Sequence, residues 1–507
     1  MSSTASGGER RRGRAGRCLR EIAGLGLFLM LMLIPIAATG CRSTEQEGLP
    51  TATPDIALLE TRTEAQLAAR LTAIAPSPTA SPLPTDVPDT PVPTVEPTET
   101  PTPLPTGFVP PFVLVRGQPN EAANIVVPEW AEPASVLTHF TEPLSFYSVR
   151  WSQDGSRLYF VSSHDFAYSR GNERNVFAMR PDGAELAMIT GENLPPEDAQ
   201  GPFVVVRGRV TGAAGSCKVT AQGMAGLVDA DGITGQFVLE GVPEQAAWVR
   251  AICQGDSITY QGSLDLNLAA APGPVEIPVS AGGSGWRDVS SSPDGQRFVG
   301  TYYEWSLDDN DEVIYQLQGS LYDLDTGEYA VLEFPEGMTF HGASWSPDGE
   351  RIVGGLSDEE KAYLWLWDTQ GVSLGELLQV ENPEDQILTI VRPVWSQDGA
   401  WIAYELHRWY WWANERFRTD LVVASADGQT VNPLVETEWG WHTTHLSWGS
   451  GAERVFFQYF QSEVDMGGLM PARADVFSVD VESRETTRWT EDGASYLPAV
   501  HPSADGF

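Results

Sequence analysis

Lysine is nearly absent from this chain of 507 residues, which contains only Lys218 and Lys361. Acidic residues number 69 against 31 lysines and arginines, and the formal net charge is −38. The first 40 residues hold six arginines and two glutamates, a net of +4, so the remainder carries −38 − 4 = −42. Because a surface of that sign repels phosphate backbones, nucleic acid is not an expected partner.

Catalytic motifs are missing as well. The sequence has no Gly-x-Ser-x-Gly turn, which marks the nucleophile of an α/β-hydrolase, and no His-Glu-x-x-His metal motif. Long amphipathic helical patterns are absent from the part that we expect to fold. The 17 tryptophans, together with 49 glycines and 37 prolines, instead indicate short strands joined by turns. We therefore expect an all-β protein without a catalytic site and without a cofactor.

Residues 1–40 have the pattern of a secretory signal. Six arginines between Arg10 and Arg20 precede the apolar run IAGLGLFLMLMLIPIAATG, which ends just before Cys41. The segment from Ala38 to Cys41 resembles the bacterial lipobox, although Ala38 stands where that motif prefers leucine. The resemblance implies that Cys41 is acylated and becomes the mature N-terminus. The alternative is a transmembrane helix, since the run of about 18 apolar residues is near the minimum for spanning a bilayer.

Residues 41–106 follow as a stalk rich in proline and threonine, which cannot bury a core and should be extended and disordered. Of the four cysteines, Cys18 lies in the removed signal and Cys41 takes the lipid. Cys217 and Cys253 remain. In an exported protein we expect them to form a disulfide bond, the alternative being two buried thiols.

A repeat of about fifty residues organises the rest of the chain. Four segments read VRWSQDG, VSSSPDG, ASWSPDG and PVWSQDG, and the last three place their glycines at 295, 349 and 399, which gives intervals of 54 and 50. LSWGSGA is a degenerate fifth copy, and a sixth ends at the C-terminus with Asp505 and Gly506. Each unit has a second turn and alternating apolar runs, which indicate four antiparallel strands, a to d. Repeated four-stranded units are typical of propeller blades.

The Trp-Ser-Gln/Pro-Asp-Gly motif followed by an apolar strand resembles the WD40-like repeat (PD40) of TolB-type β-propellers. The resemblance covers residues 107–200 and 282–507 and implies a six-bladed propeller. After the stalk, FVLVRG, ANIVVPEW and ASVLTHFT fit strands b, c and d of a blade that lacks strand a. Since YLPAVHPS near the C-terminus fits strand a, we expect the two ends of the chain to complete one blade.

Residues 201–281 interrupt the repeat. Short apolar runs at close spacing, separated by glycine turns, predict an inserted small β-sandwich. The stretch from Asp229 to Phe237, followed by LEGVP, resembles the carboxypeptidase regulatory-like (transthyretin-like) domain. That resemblance implies an accessory domain without catalysis.

Candidate binding residues fall on the face that carries the long b–c and d–a loops, since loops on a rigid scaffold commonly hold function. One loop offers aromatic rings that stack on sugars, anchor a partner or alternatively pack inside the blade: Trp409, Tyr410, Trp411 and Trp412. Just before the motif Trp position of strand a lie four candidates for an anion site at the channel mouth: Arg287, His341, Arg392 and His445. An acidic loop supplies weak metal candidates, although a solvated loop is the favoured interpretation: Asp308, Asp309, Asp311 and Glu312.

These features predict a lipid-anchored protein of the bacterial cell envelope, placed outside the cytoplasmic membrane. We expect it to bind an envelope protein or a glycan through its outward loop face, without catalysis. One alternative is a glycan-active or other hydrolytic propeller enzyme, which would use two carboxylates across a groove. Another is a structural component of envelope assembly.

The lipid anchor can be tested at Cys41. Cys41→Ala should abolish incorporation of labelled palmitate and release the protein from the membrane fraction, because several acyl chains anchor firmly where one does not. Cys18→Ala is the matched control and should change neither property. A Cys41→Ala variant that remains acylated and membrane-bound contradicts the assignment.

Overall fold

The computed structural model describes the chain from residue 108 onward, with short gaps. The described ranges are 108–117, 122–131, 133–140, 146–163, 172–190, 201–212, 215–224, 226–255, 258–268, 273–308, 312–410, 413–461 and 474–504. The signal, Cys41 and the stalk lie outside them and stay predictions. No helix in the described part has the length and apolarity needed to span a bilayer, and Glu129–Ala131 is a three-residue 3-10 turn.

Strands form nearly all of the regular structure. Before the insert they are β1 Phe112–Arg116, β2 Asn124–Val127, β3 Ser135–Val136, β4 Phe146–Trp151, β5 Leu158–Ser162, β6 Asn172–Met179 and β7 Ala187–Met188. The insert contains β8 Phe203–Thr211, β9 Ser216–Ala221, β10 Val228–Asp229, β11 Gln236–Pro243, β12 Trp248–Gln254, β13 Thr259–Asp265 and β14 Val275–Pro278. Then follow β15 Ser280–Trp286, β16 Ser290–Ser291, β17 Arg297–Leu307, β18 Val313–Asp323, β19 Tyr329–Val331, β20 Thr339–Trp345, β21 Ile352–Ser357, β22 Lys361–Trp367 and β23 Ser373–Glu381. The last strands are β24 Gln386–Trp395, β25 Trp401–Tyr410, β26 Ala413–Ser425, β27 Val431–Val435, β28 Trp441–Trp448, β29 Arg454–Gln461, β30 Ala474–Asp480, β31 Thr486–Arg488 and β32 Ser495–Val500.

Six four-stranded antiparallel blades can be traced in this pairing. Blade 1 is β4–β7, blade 2 is β15 and β16 with β17–β19, blade 3 is β20–β23, blade 4 is β24–β27 and blade 5 is β28–β31. Blade 6 has the order β3-β2-β1-β32. The predicted fold class, an all-β propeller, is confirmed.

Blade 6 joins the two ends of the described chain. β32 runs antiparallel to β1, with Phe112 opposite Val500 and Arg116 opposite Ser495. The C-terminal segment therefore supplies strand a, and the segment after the stalk supplies strands b to d, as the repeat count predicts. Closure leaves neither strand with a free edge on this side.

The repeat motif builds the turn between strands a and b. Ser396 Oγ donates to Asp398 Oδ1 at 2.6 Å, and the same Asp oxygen accepts the Ala400 amide at 2.9 Å. Ser396 Oγ also accepts the Trp401 amide at 2.9 Å. Gly399 has a φ of +70°, which a side chain disfavours. The Ser-x-Asp-Gly sequence is thus a hydrogen-bonded turn, and it explains why these residue types recur.

The same motif also fastens neighbouring blades to one another. Trp345 is only 1% exposed, and the guanidinium of Arg297 from the preceding blade lies 5.1 Å from its ring centroid. Arg351 lies over Trp395 in the next pair at 5.4 Å. Such cation–π contacts add to the burial of the aromatic surface. The regular spacing of Trp, Asp-Gly and Arg therefore encodes contacts between blades as well as turns within them.

The insert consists of two sheets around a shared apolar core. One sheet has the order β11-β8-β14, and the other begins β10-β9-β12-β13. Cys217 and Cys253 lie directly opposite each other on β9 and β12 and are joined by a disulfide bond. The second sheet continues into the propeller, because β13 pairs with β15 through Tyr260 and Gln261. A two-sheet sandwich is therefore present, attached to blade 2 by backbone hydrogen bonds, whereas its family resemblance stays a prediction.

Ring closure can be tested by truncation. Ending the chain after Gly493 removes β32, whose Leu497 and Val500 are 2% and 5% exposed, whereas ending it after Ala504 retains that strand. Burial of two such side chains contributes about 3–6 kcal/mol, so the shorter variant should lose at least that much free energy of unfolding. Urea unfolding followed by tryptophan fluorescence measures the difference. Equal stability of the two variants would contradict the closure.

Candidate functional site

The four basic residues predicted at the channel mouth are brought together by the innermost strands. Arg392 lies in β24 and His445 in β28, and Arg392 Nη1 is 3.1 Å from His445 Nε2. Arg287, between β15 and β16, lies within electrostatic range of both Arg392 and His341. We refer to this group and its neighbours as the mouth cluster. Its members come from different blades, so the ring assembles them.

Bulges in the innermost strands explain how cluster residues at two different distances from the motif Trp position come together. Arg287 and His341 stand four residues before the motif Trp position, whereas Arg392 and His445 stand three residues before it. The pairing register of β24 shifts between Val391 and Val394, and that of β28 shifts in the same way. Arg392 and His445 have φ values of 45° and 57°, in the left-handed region that most residues avoid. Bulges of this kind change the direction of a side chain, and backbone strain is concentrated at functional sites.

Glu405 is the buried centre of one half of the mouth cluster. Its carboxylate is inaccessible to solvent and accepts from Arg392 Nε at 3.0 Å and Arg392 Nη2 at 2.7 Å. It also accepts the His445 amide at 2.7 Å and lies 3.2 Å from His407 Nε2. Burial alone would raise the pKa of Glu405, but the charge of Arg392 and these hydrogen bonds outweigh it and hold the pKa well below its ordinary value. Glu405 therefore stays ionised and fixes Arg392.

Two further arginines belong to the cluster and were missed by the sequence reasoning. Arg150 donates to the main-chain carbonyl of Leu446, in blade 5. Arg174 lies between two tyrosine rings, with its guanidinium 3.7 Å from the centroid of Tyr147 and 4.9 Å from that of Tyr303. Stacking on ring faces holds a guanidinium in one plane and leaves its in-plane N–H donors for another partner. Only the three-dimensional structure identifies these two arginines, because neither stands three or four residues before a motif Trp position, as the other four residues do.

Positive charge exceeds negative charge at the mouth. Four guanidiniums, those of Arg150, Arg174, Arg287 and Arg392, face the carboxylates of Asp288 and Glu405. The Asp288 carboxylate already accepts from the amide and the hydroxyl of one threonine at 2.8 Å each. Among the described residues, the Arg287 side chain makes no hydrogen bond and no ion pair, although the Arg287 amide donates to the Thr301 carbonyl at 2.9 Å. The cluster therefore has donors without acceptors.

Burial and mutual repulsion act on the same guanidiniums. Burial, followed by the neighbouring Arg174 and Arg392, lowers the pKa of Arg287 to about 10. Burial and then Arg392 lower the pKa of Arg150 to about 10 as well. Both side chains retain some solvent-accessible surface and stay charged at neutral pH. An anion that entered the mouth would relieve this repulsion.

The histidines of the cluster are neutral at physiological pH. Burial, then His407 and Arg287, lowers the pKa of His341 to about 3. Burial also lowers the pKa of His407 and, together with the charge of Arg392, that of His445. Ordinary histidine switching between pH 5 and 8 is therefore suppressed here. The charge of the mouth is set by arginine and carboxylate alone.

The structure describes only some of the aromatic and acidic candidates, and those that it describes make contacts within the protein. Trp409 and Tyr410 finish strand β25 with partly buried rings, and Trp409 stacks on Phe417 at 4.7 Å between centroids. Asp308 closes the β17–β18 hairpin, since its carboxylate accepts the Glu312 amide at 2.8 Å. The remaining predicted members lie outside the described residues: Trp411, Trp412, Asp309 and Asp311. Within the described ranges no group of three or more His, Cys, Asp or Glu side chains is arranged to hold a metal ion.

Comparison with known proteins adds structural similarity only. No protein-family model and no curated protein matches the chain. TolB from Acinetobacter baumannii aligns with 13% identity and a TM-score of 0.42, over 77% of this chain and 66% of TolB, slightly under two thirds of that protein. A putative TolB from Agrobacterium tumefaciens aligns with 14% identity and a TM-score of 0.27, over 66% of this chain and 91% of the other. Oligogalacturonate lyase from Vibrio parahaemolyticus aligns with 12% identity and a TM-score of 0.34, over 78% and 94%. The fold is taken from the strand pairing described above, and no activity of these proteins is transferred to this chain.

The buried carboxylate offers a direct test of the mouth cluster. Glu405→Gln should lower the free energy of unfolding at pH 7 by about 3–5 kcal/mol, because it leaves Arg392 buried without its counter-charge. The control, Glu381→Gln, changes an exposed carboxylate 3.8 Å from Lys361 and should cost less than about 1 kcal/mol.

The pH dependence of the same pair follows from the direction of the shift. The pKa of Glu405 is lower in the folded state, so its stabilisation is present above the unfolded value of about 4.3. It is lost only as the pH falls through the folded value. The gap between wild type and Glu405→Gln should therefore persist from pH 8 to pH 5 in urea unfolding. A gap that closes within this range contradicts the proposed charge state.

Proposed function

We propose that this chain is a lipid-anchored binding protein of the bacterial cell envelope, which recognises an acidic group of a protein or glycan partner at its channel mouth. The observation that carries the proposal is Arg287, a charged side chain of the innermost ring that makes no hydrogen bond or ion pair with any described residue. Arg174, stacked on Tyr147, supplies a second guanidinium within electrostatic range of Arg287. Planar guanidiniums bind carboxylates in bidentate fashion, so these two side chains suit an oxyanion.

The positive charge of the mouth cluster contrasts with the negative charge of the rest of the protein. The chain beyond its first 40 residues carries −42, which repels acidic molecules from most of the surface. Positive charge gathered at one opening therefore selects where an acidic ligand approaches. Because the histidines there are neutral, the protein side of this recognition should not change between pH 5.5 and 8.

A binding role agrees better with the carboxylates of the cluster than a hydrolytic one. Glu405 is fully buried and accepts hydrogen bonds from Arg392 and His445, and Asp288 accepts two from Thr301. A general acid or base needs a carboxyl within reach of its substrate. Both carboxylates instead hold parts of the protein in place. We therefore propose no enzymatic activity at this site.

Citrate titration tests the anion site directly. Full-length protein in detergent should bind citrate at constant ionic strength in isothermal titration. Arg287→Gln should weaken this binding at least tenfold, because a hydrogen bond between charged groups contributes about 1.5–3 kcal/mol. Arg207→Gln, which removes the same charge from an exposed position on the insert, should leave it unchanged.

Stability provides the second readout for the same variants. Arg287→Gln removes a repelled charge, so its free energy of unfolding without ligand should equal or exceed that of wild type. Loss of citrate binding together with unchanged stability supports the site. Equal citrate affinity in wild type and Arg287→Gln overturns it.

A further inference from the structure

Two pairs of aromatic rings lie at the turn that leads from blade 4 to blade 5. Tyr410 packs on Trp439 with 4.6 Å between ring centroids, and Trp441 stacks on Tyr459 at 4.9 Å with an interplanar angle of 15°. Trp439 and Trp441 are separated by Gly440 alone, so the two pairs are neighbours. All four rings are partly exposed. We call this group the aromatic platform.

The aromatic platform lies on the face where the innermost strands begin, and the mouth cluster lies further along those strands. Tyr410 ends β25 and Tyr459 lies near the end of β29, both strands b, whose ends share a face with the d–a turns. Trp441 begins β28, the innermost strand of blade 5, four residues before His445. Four residues of extended strand cover about 13 Å. A ligand that contacts both groups must therefore be an extended chain rather than a small anion.

Charged side chains of both signs surround the aromatic platform. The guanidinium of Arg418 lies 5.3 Å from the centroid of Trp439. Arg418 and Arg408 share a single carboxylate, that of Asp420, at 3.4 Å and 2.6 Å, and Asp420 is only 1% exposed. Burial, followed by the charge of the Glu438 carboxylate, raises the pKa of Tyr459, so a second carboxylate lies beside the rings and balances the second guanidinium. The platform therefore offers stacking surface, and recognition of negative charge belongs to the mouth cluster.

We propose that the ligand of the outward face is an acidic polysaccharide rich in uronic acid, whose sugar rings stack on the aromatic platform while a carboxylate reaches Arg287 and Arg174. This inference rests on the proposed function and specifies its ligand. Sugars present flat C–H faces that suit tryptophan and tyrosine rings, and uronates carry a carboxylate on each unit. An acidic peptide satisfies the arginines but has no flat apolar face beside each charge. The combination of rings and guanidiniums therefore favours the glycan.

Binding of defined oligomers to full-length protein in detergent tests this inference. The probes are tetramers of mannuronate and of galacturonate, hyaluronan and heparin tetrasaccharides, the same uronate tetramers after reduction of their carboxyl groups, and tetraglutamate. At least one uronate oligomer should bind more tightly than citrate, tetraglutamate and its own reduced form. Arg287→Gln should weaken that binding at least tenfold. Preference for heparin over every uronate oligomer that lacks sulfate would assign the site to sulfate and overturn the uronate assignment.

Variants of Trp439 separate the platform from the mouth. Trp439→Leu keeps an apolar side chain but removes the ring, and should weaken the oligomer roughly three- to tenfold while leaving citrate affinity unchanged. Trp439→Tyr retains a ring and should restore most of the affinity. Thermal unfolding of both variants checks that the turn between the blades is intact; if Trp439→Leu is unstable, Tyr410→Leu serves in its place.

The outcomes distinguish the two proposals. If citrate binds in an Arg287-dependent manner but tetraglutamate binds more tightly than every oligosaccharide, the glycan inference is wrong and the anion-binding function stands. The same conclusion follows if no uronate oligomer exceeds citrate, or if ring removal affects citrate and oligomer equally. Failure of citrate itself to bind removes the basis of both.

Discussion

The antiparallel pairing of β32 with β1 is the contact on which the rest of the molecule depends. It joins segments from opposite ends of the described chain, with Val500 opposite Phe112, and completes the sixth blade. Because a propeller surrounds its channel only when the ring is closed, the innermost strands converge only if this pairing forms. The mouth cluster draws its arginines from blades 1, 2 and 4, so its geometry is a consequence of closure.

Electrostatics within the ring divide the mouth cluster into a satisfied half and an unsatisfied half. Glu405 holds Arg392 and the His445 amide in a buried network in which each group has a partner. Arg287 and Arg174 have no carboxylate partner among the described residues, and burial with mutual repulsion lowers the pKa of Arg287. Keeping such charges together costs stability. That cost is understandable if a ligand supplies the missing negative charge, which is why the unsatisfied half carries the functional proposal.

Outside the mouth cluster, the aromatic platform adds ring surface to the outward face. Rings and guanidiniums occur together at the turn between blades 4 and 5, where Arg418 lies over Trp439. The insert is attached to blade 2, where the pairing of β13 with β15 continues its sheet into the propeller. Strand β15 also leads directly to Arg287. Continuous strand pairing therefore links the insert to the residue that carries the proposed recognition.

The sequence by itself determined the blade count, the closing strand and the turns, because a repeat of Ser, Asp and Gly at fixed spacing makes local hydrogen bonds such as those of Ser396 and Asp398. It also pointed to Arg287, His341, Arg392 and His445, since all four precede one motif position. The tertiary structure alone decided that Glu405, Arg150 and Arg174 join them, and that Trp439 and Trp441 meet Tyr410 and Tyr459. Those contacts depend on strand bulges and on packing between blades, which bring together residues far apart in the chain and leave no periodic signal in the sequence.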